Sequence, residues 1–179
     1  MNYSNLSFIT DCMRGKSVAV VGNAKSLFDR NYGKEIDGHD FVIRFNGGFI
    51  TKPECQGTKT NLLILAIELD EKDIDSFGAE FVINRCTMYK NKSRVQGSID
   101  ERERVRLKHF FGAQASTGFM AVDMCVNAAE CKSITLYGFD WERTPTFYNP
   151  DGYVTKHKYS REEEVIRRWQ KNNLVKVKE

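Results

Sequence analysis

The chain has 179 residues and a mass of 20.6 kDa, with 41% hydrophobic and 28% charged residues. This composition excludes a disordered tail, a fibre and a low-complexity linker, and a net charge of +3 is too small to indicate a nucleic-acid partner. No apolar run approaches the roughly 18 residues that a membrane span requires, and the N-terminus lacks the pattern of a signal peptide. We therefore expect a cytoplasmic protein.

Short apolar runs alternate with helical segments along the chain. Buried strands are predicted at residues 17–21, 40–45, 61–66, 80–83 and 133–137. Helices are predicted near residues 25–30, capped by Asn23 or Ser26, and near 100–108, 118–130 and 161–171. This alternation predicts one α/β domain over residues 1–179, with a mostly parallel sheet flanked by helices.

The five cysteines are an odd number, widely spaced and without a CxxC pair: Cys12, Cys55, Cys86, Cys125 and Cys131. A secreted disulfide framework usually has an even count, and a zinc site usually has paired spacing. We expect reduced thiols, with Cys125 and Cys131 in the core rather than acting as nucleophiles.

The first predicted strand ends in the loop Gly22–Ser26, at the sheet edge where parallel α/β proteins bind ligands. One glycine is too few for the dinucleotide motif GxGxxG, and the P-loop pattern is also missing. Backbone N–H groups together with Asn23 and Ser26 suit a single phosphate. An ordinary strand-to-helix turn explains the loop equally well.

Several segments resemble the sialyl motifs of the family 29 sialyltransferases and follow one another in the same order along the chain. The large motif is matched by residues 18–23, 33–40, 42–47 and 57–60, and the small motif by 115–118 and 131–139. His157 and Glu162 have the H-x4-E spacing of the very small motif. The cysteine of the small motif is Cys131, but its usual disulfide partner falls at Val18, so that bridge cannot form.

The resemblance implies a GT-A-like, Rossmann-like fold and an inverting, metal-independent transfer of sialic acid from CMP-sialic acid to a glycan hydroxyl. It implies a CMP-sugar donor, a glycan or glycolipid acceptor, no cofactor, no metal and no nucleic acid. The missing disulfide partner suits a reducing compartment and a bacterial or viral version without anchor and stem. The acidic pair Asp73 and Asp75 looks like a metal-binding DxD, but we interpret it as a solvated surface.

The resemblance also assigns the binding residues. The nucleotide sugar is expected to contact Gly22, Asn23, Asn46, Ser116, Thr117, Gly118 and Tyr148. Asn46 either contacts the nucleotide or forms an Asn-Gly turn with Gly47. Ser116 is a helix cap, and the helix start at residues 116–118 also suits the donor carboxylate, with Gly118 allowing close approach of the sugar. Arg44 is expected to form an ion pair with Asp37 or Asp40.

The catalytic assignment is His157 as the base, supported by Glu162, which either orients the histidine or braces the loop. Carboxylates at 162–164 would raise the pKa of His157, whereas burial would lower it. The family has a further histidine upstream, where this chain has none. Tyr148 or Thr146 is the candidate to contact the leaving phosphate there.

Three alternatives stay open from the sequence. The first is a CMP-Kdo-dependent transferase of the same fold, the second is an inactive CMP- or glycan-binding module, and an NAD oxidoreductase is the third. The basic stretch 85–109 is either a charged helix surface or a contact with an acidic glycan or with the anionic inner face of a membrane.

Overall fold

A computed structural model describes residues 3–87, 93–151 and 156–178. Its strands are β1 (Ser17–Val21), β2 (Phe41–Phe45), β3 (Leu62–Leu65), β4 (Phe81–Asn84), β5 (Gly97–Ser98), β6 (Ser133–Tyr137) and β7 (Lys176–Lys178). Its α-helices are α1 (Ser7–Met13), α2 (Gly33–Asp37), α3 (Pro53–Gln56), α4 (Glu71–Asp75), α5 (Glu101–Phe111), α6 (Thr117–Asn127) and α7 (Tyr159–Lys171). Two 3-10 helices cover Ser4–Leu6 and Lys25–Asp29.

The seven strands form one sheet in the order β5-β4-β3-β2-β1-β6-β7, and every pair of neighbours is parallel. The predicted fold class is therefore confirmed, including all five predicted strands to within one or two residues. Strand order reverses between β1 and β6, because β2 to β5 extend on one side of β1 and β6 and β7 on the other. In an open parallel sheet such a reversal opens a crevice at the carboxyl ends of the strands.

Helices cover both faces of the sheet, which explains why the strands are apolar without alternation. In β1, Val18 and Val20 face a large core that includes residues of α1, α5, α6 and α7. Ala19 and Val21 face a smaller cluster beneath the first 3-10 turn after β1 and α2. The inner strand β3 alternates in the same way, so both of its faces are sealed from water.

A buried polar group ties the N-terminal segment to the large core. The Tyr3 hydroxyl donates a hydrogen bond to the Asp123 carboxylate on α6 over 2.8 Å, and Arg106 of α5 forms an ion pair with the same carboxylate. Burial raises the pKa values of both Tyr3 and Asp123. These contacts hold α5 and α6 together, and the connection between those helices carries part of the site.

Two predictions about side-chain partners are wrong. Neither Asn23 nor Ser26 caps the turn that begins at Lys25: the Asn23 amide donates to the Phe45 carbonyl, and the Ser26 hydroxyl donates to Asp140. The turn is a 3-10 helix of five residues, so few N–H groups need a cap. The Asn23 side chain instead joins the carboxyl ends of β1 and β2.

Arg44 forms no ion pair with Asp37 or Asp40 among the residues that the structure covers. It is 1% exposed and donates to the backbone carbonyls of Gln56 and Lys59 over 2.7 and 3.1 Å. Burial lowers its pKa to about 10. Asp37 accepts from the Lys59 N–H at 2.9 Å and so braces the same loop from the other side. Carbonyl groups satisfy the guanidinium here because the loop wraps around it.

Candidate active site

A cavity of about 350 Å³ opens at the carboxyl ends of β1 and β6, where the strand order reverses. All nine residues that the sequence assigned to the site line this cavity: Gly22, Asn23, Asn46, Ser116, Thr117, Gly118, Tyr148, His157 and Glu162. They come from segments up to 140 positions apart, counting from Gly22 to Glu162. The structure brings them together, and their individual roles remain predictions.

Gly22 and Gly138 end the two strands that flank the crevice. A Cβ on Gly22 would lie 2.3 Å from the Gly138 carbonyl oxygen, so any side chain there would force the strand ends apart. Gly22 is thus required by the approach of two backbones. Gly22, which the resemblance assigned to nucleotide binding, therefore also allows the ends of β1 and β6 to meet at the base of the cavity.

Asn46 occupies the turn directly after β2, with a φ of 53° in the left-handed region. Its side-chain oxygen accepts a hydrogen bond from the Ala66 N–H over 2.7 Å, which fastens this turn to the loop after β3. With the oxygen occupied, the group that Asn46 can offer a ligand is its Nδ2 amide. The turn and the ligand contact are therefore compatible.

Ser116 caps α6, as expected: its hydroxyl accepts from the Phe119 N–H at 3.1 Å. The same hydroxyl donates to one oxygen of the Glu162 carboxylate over 2.6 Å, and the Ser116 N–H donates to the other over 2.7 Å. The N–H and the hydroxyl hydrogen of Ser116 are thus already used by Glu162 of α7. The backbone N–H groups of Thr117 and Gly118 are what this helix start can offer a donor carboxylate.

Glu162 is 3% exposed, and burial raises its pKa to about 7 despite the two hydrogen bonds from Ser116. Its hydrogen bonds join α7 to the start of α6 and do not reach His157. Of the two predicted supporting roles, the geometry favours bracing over orientation of the imidazole.

The structure gives a further reason for a small residue at position 118, beside the expected approach of the sugar. A Cβ at this position would lie 3.1 Å from the Phe139 ring and 3.8 Å from the Phe45 ring. The space beside Gly118 is thus bounded by aromatic rings of the cavity wall. Phe139 and Phe45 pack edge to face with ring centroids 6.2 Å apart.

His157 is half-buried, and its Nδ1 lies 2.7 Å from the Gln114 carbonyl oxygen. A carbonyl can only accept, so Nδ1 carries the proton, and the neutral ring has its lone pair on Nε2. Burial lowers the pKa of His157, and the charge of Arg85 lowers it further. The expected rise caused by the carboxylates at 162–164 is wrong, because Glu162 faces Ser116 and Glu163 pairs with Arg143.

The segment after β6 supplies site residues that sequence reasoning missed. Trp141 lines the cavity, and both Trp141 and Glu142 have left-handed φ values, of 52° and 71°. Thr146, which the sequence offered as a phosphate contact, also lines the cavity, and its hydroxyl is buried without a hydrogen-bond partner. The strand at residues 133–137 was predicted, and Trp141 follows its carboxyl end. Because ligands bind beyond the carboxyl ends of parallel strands, this position is the signal that could have identified Trp141.

Asp140 is a second possible base, and one oxygen of its carboxylate, Oδ2, is occupied by hydrogen bonds. Its carboxylate accepts hydrogen bonds from the Ser26 hydroxyl at 2.9 Å and from the Thr144 N–H and hydroxyl at 3.1 and 2.5 Å. This group holds the loop after β6 in place. His157 is therefore the better candidate for proton transfer.

The acidic pair Asp73 and Asp75 lies on α4, away from the cavity, and Asp75 pairs with Arg94 at 2.8 Å. Across the described ranges, no three His, Cys, Asp or Glu side chains converge as a metal site would require. No helix in those ranges has the length and apolarity to cross a bilayer.

Part of the chain matches a known protein family. Residues 10–72 match glycosyltransferase family 29, the sialyltransferase family. This range covers the large motif and the first three strands of the sheet.

Two curated proteins named as sialyltransferases or sialyltransferase-like are similar to this chain. A sialyltransferase-like protein 2 of Arabidopsis thaliana is 29% identical over 135 residues, which cover 68% of this chain and 29% of the relative. A beta-galactoside alpha-2,6-sialyltransferase 2 of Danio rerio is 35% identical over 81 residues, or 45% of this chain and 15% of the relative. The chain thus spans less than a third of the length of these relatives.

Solved structures share the fold of this chain. A mammalian sialyltransferase superposes with a TM-score of 0.64 at 18% identity, over 92% of this chain and 69% of that one. An alpha-2,3-sialyltransferase from Campylobacter jejuni gives a TM-score of 0.60 at 13% identity, over 91% and 74% of the two chains.

Proposed function

We propose that this chain is a sialyltransferase that moves sialic acid from CMP-sialic acid to a hydroxyl of a glycan, with inversion and without a metal. The convergence of all nine motif residues in one cavity at the β1–β6 crevice carries this proposal. The match of residues 10–72 to glycosyltransferase family 29 supports it, and so do structural neighbours solved with CMP and with CMP-3FNeuAc.

The proposed binding mode follows the layout of the cavity. The nucleotide lies against Asn23 and the Nδ2 amide of Asn46, at the ends of β1 and β2. The sugar carboxylate accepts from the Thr117 and Gly118 N–H groups, where the positive end of α6 favours an anion. The leaving phosphate accepts from the Thr146 hydroxyl, which has no hydrogen-bond partner among the described residues.

The chemical step needs one proton acceptor. The acceptor hydroxyl oxygen attacks the anomeric carbon from the side opposite the phosphate, and the carbon–oxygen bond to CMP breaks. Nε2 of His157 takes the hydroxyl proton, so the imidazole must be neutral before the reaction. Burial keeps its pKa low, which supplies the neutral form at pH 7. Attack from the opposite side inverts the configuration.

The acceptor is proposed to be a glycan or glycolipid, and the ion pairs of the basic stretch 85–109 favour a charged helix surface over a contact with an acidic glycan or a membrane. Four arginines of the basic stretch pair with acids: Arg94 with Asp75, Arg102 with Asp100, Arg104 with Glu101, and Arg106 with Glu103 and Asp123. This internal pairing makes most of the stretch a charged helix surface. Residues 88–92 of the stretch lie outside the described residues.

Calorimetry with CMP in the presence of EDTA tests the binding half of the proposal. We expect heat of binding without any metal, and heat that returns only with Mn²⁺ would contradict metal independence. Transfer assays with CMP-sialic acid and CMP-Kdo side by side then identify the donor. Turnover with CMP-Kdo alone would replace the sialic acid assignment, and CMP binding with no turnover of either donor would indicate an inactive binding module.

A further inference from the structure

Trp141, in the loop after β6, has a backbone conformation that its residue type does not explain. Trp141 and Glu142 both have left-handed φ values, of 52° and 71°. A bulky side chain rarely adopts this conformation, and such strain is usually retained where the surrounding structure holds a functional group in place. The indole Nε1 is also buried without a hydrogen-bond partner among the described residues, so a hydrogen bond is not what fixes the ring.

Two arginines hold the indole ring instead. The guanidinium carbons of Arg167 and Arg143 lie 4.7 and 5.7 Å from the centroid of the Trp141 ring. Glu163 anchors both side chains, at 3.4 Å from Arg167 and 2.8 Å from Arg143. Cations from α7 and from the loop itself therefore keep the ring in one position.

The two guanidiniums lie on one side of the ring. A second cavity of about 400 Å³ adjoins the donor cavity, which is the cavity of about 350 Å³ lined by the nine motif residues. Trp141 lines both cavities, whereas Arg143 and Arg167 line the second cavity and not the donor cavity. The indole thus separates the two spaces, and its side toward the donor cavity is open to a ligand.

Trp141 continues the row of groups that the proposed function assigns to the nucleotide. Asn46 follows β2, Asn23 follows β1 and Trp141 follows β6, and these three strands are neighbours in the sheet. Neighbouring strands lie about 4.8 Å apart, so β2 and β6 are separated by about 10 Å, which is the scale of a nucleoside monophosphate. The amides at the ends of β1 and β2 suit phosphate and ribose, and an aromatic ring at the end of β6 suits a planar base.

The other aromatic rings near the ends of these strands lie beside other parts of the donor cavity. Phe45 and Phe139 bound the space next to Gly118, where the sugar is proposed to lie. Tyr148 lies against the turn after β2. Trp141 is therefore the ring at the β6 end that is left for the base.

We propose that Trp141 binds the cytosine base of the CMP donor by stacking its indole on the base, and thereby places the donor in the cavity. This inference rests on the proposed function and adds a residue outside the sialyl motifs to the donor site. The guanidiniums on the far side keep the indole in place, so the base meets a surface that is ordered before binding.

Calorimetry with CMP compares Trp141→Ala and Trp141→Phe with the native chain. We expect Trp141→Ala to weaken CMP binding about 10–100-fold, the loss typical of removing a ring that stacks on a base, and Trp141→Phe to lose less. Trp169→Phe is the matched control, because Trp169 stacks on Phe119 with ring centroids 5.5 Å apart and does not line the donor cavity. Native CMP affinity in Trp141→Ala would overturn the inference, and so would an equal loss in Trp169→Phe.

Tryptophan fluorescence gives a readout that depends neither on the alanine variant nor on turnover. The chain has two tryptophans, so we expect CMP and cytidine to quench the emission of the native chain and of Trp169→Phe but not that of Trp141→Phe. Ribose 5-phosphate, which lacks the base, should leave the emission unchanged.

The outcomes separate this inference from the proposed function. CMP binding without quenching, or quenching by ribose 5-phosphate, would overturn the Trp141 contact and leave the proposed function standing. Quenching of Trp141 by CMP without turnover of any donor would leave the Trp141 contact standing while the proposed transfer fails. A native chain that binds no CMP at all would overturn both.

Discussion

The Glu162 carboxylate receives both polar hydrogens of Ser116, from the N–H at 2.7 Å and from the hydroxyl at 2.6 Å. Residues of two different sialyl motifs, 46 positions apart, thus form one contact. Through it the first turn of α7 is fastened to the start of α6, and the segment that carries His157 is fixed beside the cavity. The contact makes Glu162 a positioning residue for the site.

Glu162→Gln should flatten the pH dependence of stability. Burial raises the pKa of Glu162 from 4.5 to about 7, so between these values the folded protein keeps a proton that the unfolded chain has released. This contribution is fully present below pH 4.5 and is lost as the pH rises through 7. The free energy of unfolding of the native chain should therefore fall by about 3 kcal/mol more than that of the variant across this window.

Urea unfolding at several pH values from 4 to 8 measures this difference. Glu164→Gln, two positions further along the helix, is the control because Glu164 is exposed and pairs only with Arg168. Parallel curves for the native chain and Glu162→Gln would show that the buried carboxylate does not titrate in this range.

His157→Ala should reduce transfer by on the order of 10²–10⁴ and leave CMP affinity nearly unchanged, because a general base acts in the transition state. In the native chain the rate should rise through a pKa below 6.5 and then stay level at neutral pH, since burial and Arg85 favour the neutral ring. Glu162→Gln should cost less than His157→Ala. Near-normal turnover of His157→Ala with an active donor and acceptor would place the base elsewhere.

Thr146→Val should lower transfer without lowering stability. The Thr146 hydroxyl is buried without a partner, so replacing it with a methyl group removes no internal hydrogen bond and leaves the thermal midpoint unchanged or higher. If the hydroxyl contacts the leaving phosphate, kcat should fall roughly tenfold or more. Tyr148→Phe is the companion variant, and a loss in that variant alone would assign the phosphate contact to Tyr148.

Asn46→Ala should weaken CMP binding by roughly 1–3 kcal/mol, the cost of a ligand group left without its hydrogen bond. It also removes the 2.7 Å bond to the Ala66 N–H, so the thermal midpoint is recorded beside the calorimetry. Asn46→Asp separates the two roles: it keeps the oxygen that Ala66 uses and removes the amide offered to the ligand. Unchanged CMP affinity in Asn46→Asp would leave Asn46 with the turn alone.

The five cysteines are free in the structure, and Cys131 should be the most reactive of them. Cys131 is half-buried, and a hydrogen bond from the Cys125 thiol lowers its pKa, whereas Cys125 is fully enclosed. Brief alkylation of the native protein should label Cys131 first, followed by Cys12. Mass spectrometry after digestion locates the label, and a Cys131 that resists alkylation until the protein is reduced would reveal a disulfide.

Local patterns were sufficient for the fold class. Each predicted strand is a run of apolar residues buried on both faces, and such runs are typical of a parallel sheet covered by helices. The edge strands β5 and β7 and the helix α1 were not predicted. β5 has two residues, and β7 is lysine–valine–lysine, so neither carries the apolar signal of a central strand. Pairing with a neighbour is what makes them strands.

The same distinction between sequence pattern and tertiary contact applies to the site. The order of the motifs along the sequence was enough to select the nine residues that line one cavity, because a motif is defined by residue type and spacing. Only the tertiary structure shows that Glu162 reaches Ser116 rather than His157, and that backbone carbonyls replace the acids expected around Arg44. These contacts join residues distant in sequence, and hydrogen bonding and burial depend on which groups the fold brings within about 3 Å.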